Sequence, residues 1–440
     1  MLKRKFSGPP MGWNSYDYYN TNVLESEVKA NADYMAEHLK QYGYEYVVVD
    51  AGWYMYGGAE NRETYHYPPF GHLNMDEFSR LIPCTEKFPS AANGAGFRPL
   101  ADYVHSKGLK FGIHIMRGIP RAAAHEHRPI RYKGFTAADI ADPSSICKWN
   151  PDMYGVRATE AGQAYYDSLL ELYAQWGVDF IKCDDICNTN MYVDNPYSAE
   201  KEIEMLSKAV ERCGREIVLS LSPGPAVLEK AWHYEKYANM WRITNDIWDD
   251  WKLIKDMFTR CSRWQEHVSE GSYPDCDMLP LGKIGRMFFF FDGERSTRLT
   301  PDEQKSMMTL WCIFRSPLML GAELTKLDSE TLKLITNREV LALVGEDHVS
   351  RQVALSDDYS VWASHSTKDG SIVLALFNLA DSAATVSCDL TEAYHALKLE
   401  VPDKTSGKAK ELWNQTTVEW KENTVSAELP AHGCTLLRLL

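Results

Sequence analysis

Trp176-Gly177-Val178-Asp179-Phe180-Ile181-Lys182-Cys183-Asp184 is the stretch on which the fold turns. Ahead of it Tyr165, Leu169, Leu172, Tyr173 and Trp176 recur at helical spacing, and Gly177 closes that helix. A short apolar run follows and ends in a cation and then a carboxylate. A buried strand entered from a helix, polar only at its carboxyl end, is the building unit of a parallel sheet covered on both faces. Lys182 and Asp184 stand two apart, so on a strand their side chains share one face.

The same unit recurs outward along the chain. Residues 47–49 run into Asp50, and 109–115 and 217–221 are further buried runs. Met240-Trp241-Arg242-Ile243-Thr244-Asn245-Asp246 again carries apolar residues into a cation and a carboxylate. Val28, Met35, Leu39 and Tyr42 make a helical stripe stopped by Gly43, and Thr300-Pro301 reads as the N-cap and first turn of a helix over 301–313. This alternation predicts a (β/α)8 barrel, an α/β fold whose site gathers at the carboxyl ends of its strands. A doubly wound sheet is the competing architecture, but no phosphate-binding glycine loop follows the first strand. From about residue 337 the pattern changes. Short runs at 360–363, 371–377, 384–388, 397–401, 424–429 and 434–440, separated by turn residues, predict an antiparallel β-sandwich. The expected domains are 1–330, catalytic, and 331–440, sandwich.

Composition narrows the partners. A net charge of −14 argues against nucleic acid and anionic membranes, and no apolar stretch has the length of a membrane span. The basic start Lys3-Arg4-Lys5 has no apolar segment behind it, so a cytoplasmic location is expected. Ten cysteines are too few for a disulfide scaffold, and no zinc, Walker or Rossmann signature is present. With 13 Trp, 24 Tyr and 15 Phe the chain is rich in rings that could stack on sugars or fill a core.

Two carboxylates facing one another across a cleft are what glycosidic-bond cleavage requires. Asp184 and Asp246 are the candidates. Each also has a structural reading, as a strand-end ion pair with Lys182 and as a helix-start partner of Arg242. Asp179, Asp185, Asp249 and Asp250 compete by sequence position. Asp179 lies at the wrong end of a barrel strand, and Asp185 points away from Asp184 if the strand continues.

Several segments, taken together and in order, resemble glycoside hydrolase family 27, the α-galactosidases and α-N-acetylgalactosaminidases. They are Pro10-Met11-Gly12-Trp13-Asn14-Ser15-Tyr16, the segments ending in Asp184 and in Asp246-Ile247, Pro274-Asp275-Cys276-Asp277-Met278-Leu279 and Arg315-Ser316-Pro317-Leu318. The resemblance implies a retaining exo-glycosidase with no metal or organic cofactor, acting on a glycan or oligosaccharide. Asp184 would be the nucleophile and Asp246 the acid/base, with carboxyls roughly 5 to 5.5 Å apart. A drier setting would raise the pKa of Asp246. Trp13 would form a wall of the sugar pocket, and Asp50, Trp53, His114, Lys182, Ser222, Arg242 and Asp277 would bind substrate. Lys182 and Arg242 would also keep Asp184 charged.

The chain departs from the family at informative places. Galactosidases carry two adjacent Asp residues where this chain has Asp50-Ala51, and a methyl cannot accept a hydrogen bond from a hydroxyl. His114 replaces a Tyr, either as a satisfied barrel histidine or as a new polar contact. Ser222 aligns with the family's fifth-strand acid that reads the 2-hydroxyl, and a small residue there leaves room for an N-acetyl group or belongs to a loop reshaped for another pyranoside. Cys147 and Cys187 fall near a disulfide of secreted relatives, and free thiols are expected. Residues 57–97 and 283–298, the latter with four consecutive Phe, would lie beyond strand ends as aglycone subsites or an oligomer contact. The expected activity is α-galactosidase-like. The alternatives are an α-N-acetylgalactosaminidase, a β-L-arabinopyranosidase, an α-glucan-cleaving enzyme or, from another class, a silent carbohydrate-binding protein.

Overall fold

Eight parallel strands alternate with helices over the first three-quarters of the chain. The computed structural model describes residues 8–56, 72–147, 149–186, 197, 199–288 and 293–440. The strands are β1 (Met11–Asn14), β2 (Tyr46–Val49), β3 (Lys110–Met116), β4 (Phe180–Asp184), β5 (Val218–Ser222), β6 (Met240–Arg242), β7 (Tyr273–Asp275) and β8 (Leu318–Leu320). Their order is β7-β6-β5-β4-β3-β2-β1-β8. The two ends meet through a parallel bridge between Leu279 and Leu320, with the Leu279 amide donating to the Met319 carbonyl at 2.8 Å. The sheet therefore closes on itself as a (β/α)8 barrel.

The helices form where the sequence places them. The longest, α1 (Glu160–Trp176), begins at Thr159, whose hydroxyl accepts from the Gly162 amide, and ends at Gly177 with φ +85°. Helix α2 (Pro301–Phe314) opens on a capping box between Thr300 and Glu303. The expected helix ending at Gly43 is present over Glu25–Tyr34, continues through a π segment (Met35–Leu39) and a short 3₁₀ turn, and stops at Gly43 with φ +100°.

Beyond the barrel, a six-stranded antiparallel sheet packs with a two-stranded one. The first of its strands is His348–Leu355, and the two-stranded sheet pairs Ala384–Asp389 with Thr424–Leu429. Residues 397–401, expected as a strand, follow a helix instead (Leu390–Ala396). The Asp389 side chain caps that helix on the Thr391 amide, and Lys398, at φ +59°, turns the chain out of it. The strands Gly407–Glu411 and Thr417–Trp420 carry little apolar alternation and were not legible. The two parts share a core: Phe258 meets Phe377 edge-on at 4.9 Å, and Phe314 meets Trp362 at 6.1 Å. Among the described residues, no helix is long and apolar enough to cross a membrane.

Candidate active site

Strand parity sorts the barrel interior. Tyr46, Val48, Phe180, Val218, Met240, Tyr273 and Met319 form a buried apolar plug. One step further toward the carboxyl ends, the same inward parity presents Asn14, Asp50, His114, Lys182, Asp184, Ser222 and Arg242. Above them opens a cavity of about 500 Å3 whose walls include Asp50, Lys182, Asp184, Ser222, Arg242, Asp246 and Asp277. The structure thus brings the two candidate carboxylates and five of the expected binding residues to one cavity.

Asp184 ends β4. Its Oδ1 accepts from the Asp185 amide at 2.8 Å, and its Oδ2 lies 3.2 Å from His114 Nε2. Burial alone would push this carboxyl up. The His114 hydrogen bond, then the charges of His114, Lys182 and Arg242, outweigh burial and hold it below the usual carboxylate range. An ionised, pre-oriented carboxylate is what a nucleophile needs. His114 is fully buried and its Nδ1 has no hydrogen-bond partner among the described residues, where the Asp184 contact is the one hydrogen bond of its ring.

Lys182 reaches past β3 to Asp50, with Nζ 2.9 Å from Oδ2, and Asn14 Nδ2 donates to the same oxygen at 2.7 Å. Burial raises the Asp50 carboxyl, but Lys182 and then His114 drive it far below its ordinary value. Arg242 is anchored by Nε on the Pro223 carbonyl at 3.0 Å. Its NH1 lies 2.8 Å from Asp246 Oδ1 and 3.5 Å from Asp277 Oδ2. Asp277 also receives the Ile247 amide at 2.8 Å, which fixes the chain next to Asp246. The Asp246 side chain is 65% exposed. The dry setting expected for it is therefore not supplied by the protein alone, because Asp246 sits on the loop after β6 rather than inside the barrel.

Two expectations fail on parity. Trp13 lies between the inward positions Gly12 and Asn14 and so points outward. It is fully buried, with its indole N–H on the Ala322 carbonyl at 2.7 Å, and it lines no part of the cavity. Tyr16, three residues on, puts its ring on the wall instead. Trp53 also faces outward, its N–H on the His114 carbonyl at 2.7 Å and its ring against Phe97 and Trp176. Ala51 is buried outside the cavity lining.

Sequence reasoning missed Tyr16, Asp17, Trp149, Asn245 and Trp248, all cavity residues on strand-end loops. Period-2 reasoning stops where a strand stops, so only the inward parity of β1 and its continuation pointed toward Tyr16. Enclosure, then the charges of Asp246, Asp50, Asp184 and Asp17, push the Tyr16 phenol well up, so it is a neutral hydroxyl amid four carboxyls.

The competing acids have structural partners. Asp179 holds His105 and Arg215 at the amino end of the barrel, Asp185 pairs with Arg117 at 3.0 Å, Asp249 binds Arg295, and Asp250 caps the next helix on the Lys252 amide. Cys147 is a free buried thiol, and Cys187 lies outside the described residues. So do residues 57–71 and 289–292, which hold His66 to Phe70 and three of the four consecutive Phe; Phe288 is buried, edge-on to Tyr16 and Trp248. Glu200, Glu204 and His233 bring potential metal ligands within 4.8 Å of one another away from the cavity, but Lys201 already sits 2.9 Å from Glu204.

Residues 154–346 match the family model described as alpha galactosidase A, and 356–439 match the alpha galactosidase C-terminal beta sandwich domain. An α-galactosidase of Coffea arabica is 28% identical over 96% of this chain and 91% of its own length. That of Cyamopsis tetragonoloba is 27% identical over 97% and 85%. A glycoside hydrolase family 27 β-L-arabinopyranosidase from Geobacillus stearothermophilus, solved with arabinose, is 49% identical, with a TM-score of 0.91 and coverage of 98% of this chain and 97% of that one. A putative α-N-acetylgalactosaminidase from Bacillus halodurans is 45% identical, with a TM-score of 0.85 over 98% and 97%.

Proposed function

Because this chain belongs to glycoside hydrolase family 27, we propose that it is a retaining exo-glycosidase for terminal galactose-configured pyranosides, with β-L-arabinopyranosides preferred. The observation that carries the reading is that Asp184 and Asp246 line one cavity, with Arg242 bearing on both. Asp184 attacks the anomeric carbon while Asp246 protonates the departing glycosidic oxygen. Water then cleaves the glycosyl ester, giving its proton to Asp246 and restoring the Asp184 carboxylate. A sugar ring entering above Arg242 would cover the exposed Asp246 and supply the dryness an acid needs.

The sugar preference rests on position 51. β-L-Arabinopyranose repeats the ring configuration of α-D-galactopyranose without the 6-hydroxymethyl group, so it makes no call on the acceptor that Ala51 does not offer. The 49% identity to an arabinopyranosidase supports the same choice. A second reading, an α-N-acetylgalactosaminidase, is favoured by Ser222, a small residue of the cavity wall whose hydroxyl has no hydrogen-bond partner among the described residues.

Nitrophenyl α-galactoside, β-L-arabinopyranoside, α-N-acetylgalactosaminide and α-glucoside separate these readings. The arabinopyranoside is expected to have the highest kcat/KM. Preference for the α-glucoside overturns the configuration, and binding of a sugar with no turnover of any glycoside replaces the hydrolase with a lectin.

A further inference from the structure

Asp17 is the cavity's unexplained group. It lies in the single helical turn Tyr16–Tyr19 that follows β1, is only 1% exposed, and belongs to the wall shared with Asp50, Lys182 and Asp184. Its neighbours in the turn are engaged: the Tyr18 hydroxyl donates to Glu294 and the Tyr19 hydroxyl to Glu323. The Asp17 carboxyl has no hydrogen bond and no ion pair among the described residues, and its Oδ2 is completely enclosed. Buried polar groups are nearly always satisfied, and an exception calls for a reason.

The fold makes specific room for this carboxyl. Gly321, just past β8, packs directly on it, and a methyl group there would overlap Asp17 Oδ2. Lys182, whose charge acts on it, is committed to Asp50. Burial first, then the Asp277 carboxylate, raise the Asp17 carboxyl well above its ordinary value, so it is a neutral acid able both to donate and to accept. A neutral carboxyl kept without a partner among the described residues, at the wall of a sugar-sized cavity, is suited to a ligand hydroxyl.

We propose that Asp17 contacts the sugar and sets specificity, its carboxyl pairing with one ring hydroxyl of the pyranoside held beside Asp184. The inference rests on the cavity being the sugar site. The fold keeps an unsatisfied acid there because the ligand satisfies it, an arrangement in which function is retained at a cost in stability.

Calorimetric titration of wild type, Asp17→Asn and Asp17→Ala with L-arabinose, D-galactose and N-acetylgalactosamine, then with each monodeoxy form of the tightest binder, tests it. Asp17→Asn, which keeps a neutral donor and acceptor, is expected to hold the parent sugar within about threefold. Asp17→Ala is expected to lose about 10- to 100-fold for the parent sugar, with one monodeoxy sugar binding it and the wild type alike. The Tm of Asp17→Asn is expected to equal or exceed that of the wild type. Unchanged binding by Asp17→Ala, an equal loss for every deoxy sugar, or a lower Tm for Asp17→Asn overturns the proposal, and so does a wild type that binds no sugar. Turnover is assayed separately: a wild type that binds sugar but hydrolyses no glycoside removes the hydrolase reading and leaves the Asp17 comparison decisive.

Discussion

Lys182 pairs with Asp50, not with Asp184: its Nζ stands 2.9 Å from Asp50 Oδ2, two strands away in the sheet from its own strand neighbour. Two residues apart on β4, Lys182 and Asp184 share a face but diverge. Asp184 turns to His114 on β3, and Lys182 crosses to β2. Lys182 still lowers the Asp184 carboxyl, through its field rather than by contact.

Lys182→Met leaves the fully buried Asp50 carboxylate with Asn14 as its remaining side-chain donor. Removing one partner of a buried pair typically costs about 3–5 kcal/mol. Chemical denaturation is expected to show a loss of that order, and Lys182→Met/Asp50→Asn is expected to cost less than the sum of the single changes. Strict additivity would mean the pair is not coupled.

Asp184→Ala is expected to reduce kcat by on the order of 10^4-fold or more. Azide, placed where the carboxylate was, restores turnover and yields a glycosyl azide of inverted anomeric configuration. Product of retained configuration, identified by NMR, moves the nucleophile elsewhere.

Asp246→Ala is read by leaving group. Loss of the proton donor is expected to cost about 10^2- to 10^4-fold for an alkyl glycoside and far less for a dinitrophenyl glycoside, whose leaving group needs no proton. Equal losses on the two substrates remove the acid role from Asp246.

His114→Leu moves the acid limb of the kcat/KM profile to higher pH. Asp184 reacts ionised, and His114 makes the largest of the contributions that hold its carboxyl low; without them burial raises it. The wild type keeps its activity down through the ordinary carboxylate range as far as the fold survives, and the variant loses it sooner as pH falls. An unmoved acid limb contradicts the pairing.

Asp275 lies under the site, its Oδ1 accepting from the Asp277 amide at 2.9 Å. Burial first, then Asp277, raise its carboxyl to about 7 from an ordinary 3.8. Between those values the folded protein holds a proton that the unfolded chain has released, so stability falls as pH rises through the window. Asp275→Asn abolishes that fall and gains on the wild type by on the order of a few kcal/mol between about pH 4 and pH 7. Urea unfolding curves at several pH values measure it, and parallel stability profiles for the two proteins speak against a titrating Asp275.

Sequence alone determined the repeating strand–helix unit, the helix stops at Gly43 and Gly177, the cap at Thr300, and the inward-facing pair Lys182 and Asp184. All follow from local rules: left-handed backbone at a glycine, a hydroxyl on a helix start, and the two-residue period of a strand. Only the tertiary structure decided that Trp13 and Trp53 face the helices while Tyr16, Asp17, Trp149 and Trp248 line the cavity, and that Lys182 belongs to Asp50 and His114 to Asp184. Those assignments depend on which strands lie side by side when the sheet closes and on where loops fold back over its mouth. A linear pattern carries one strand's parity but not its neighbours, and burial, the cause of most of the charge behaviour here, exists only once eight strands have met.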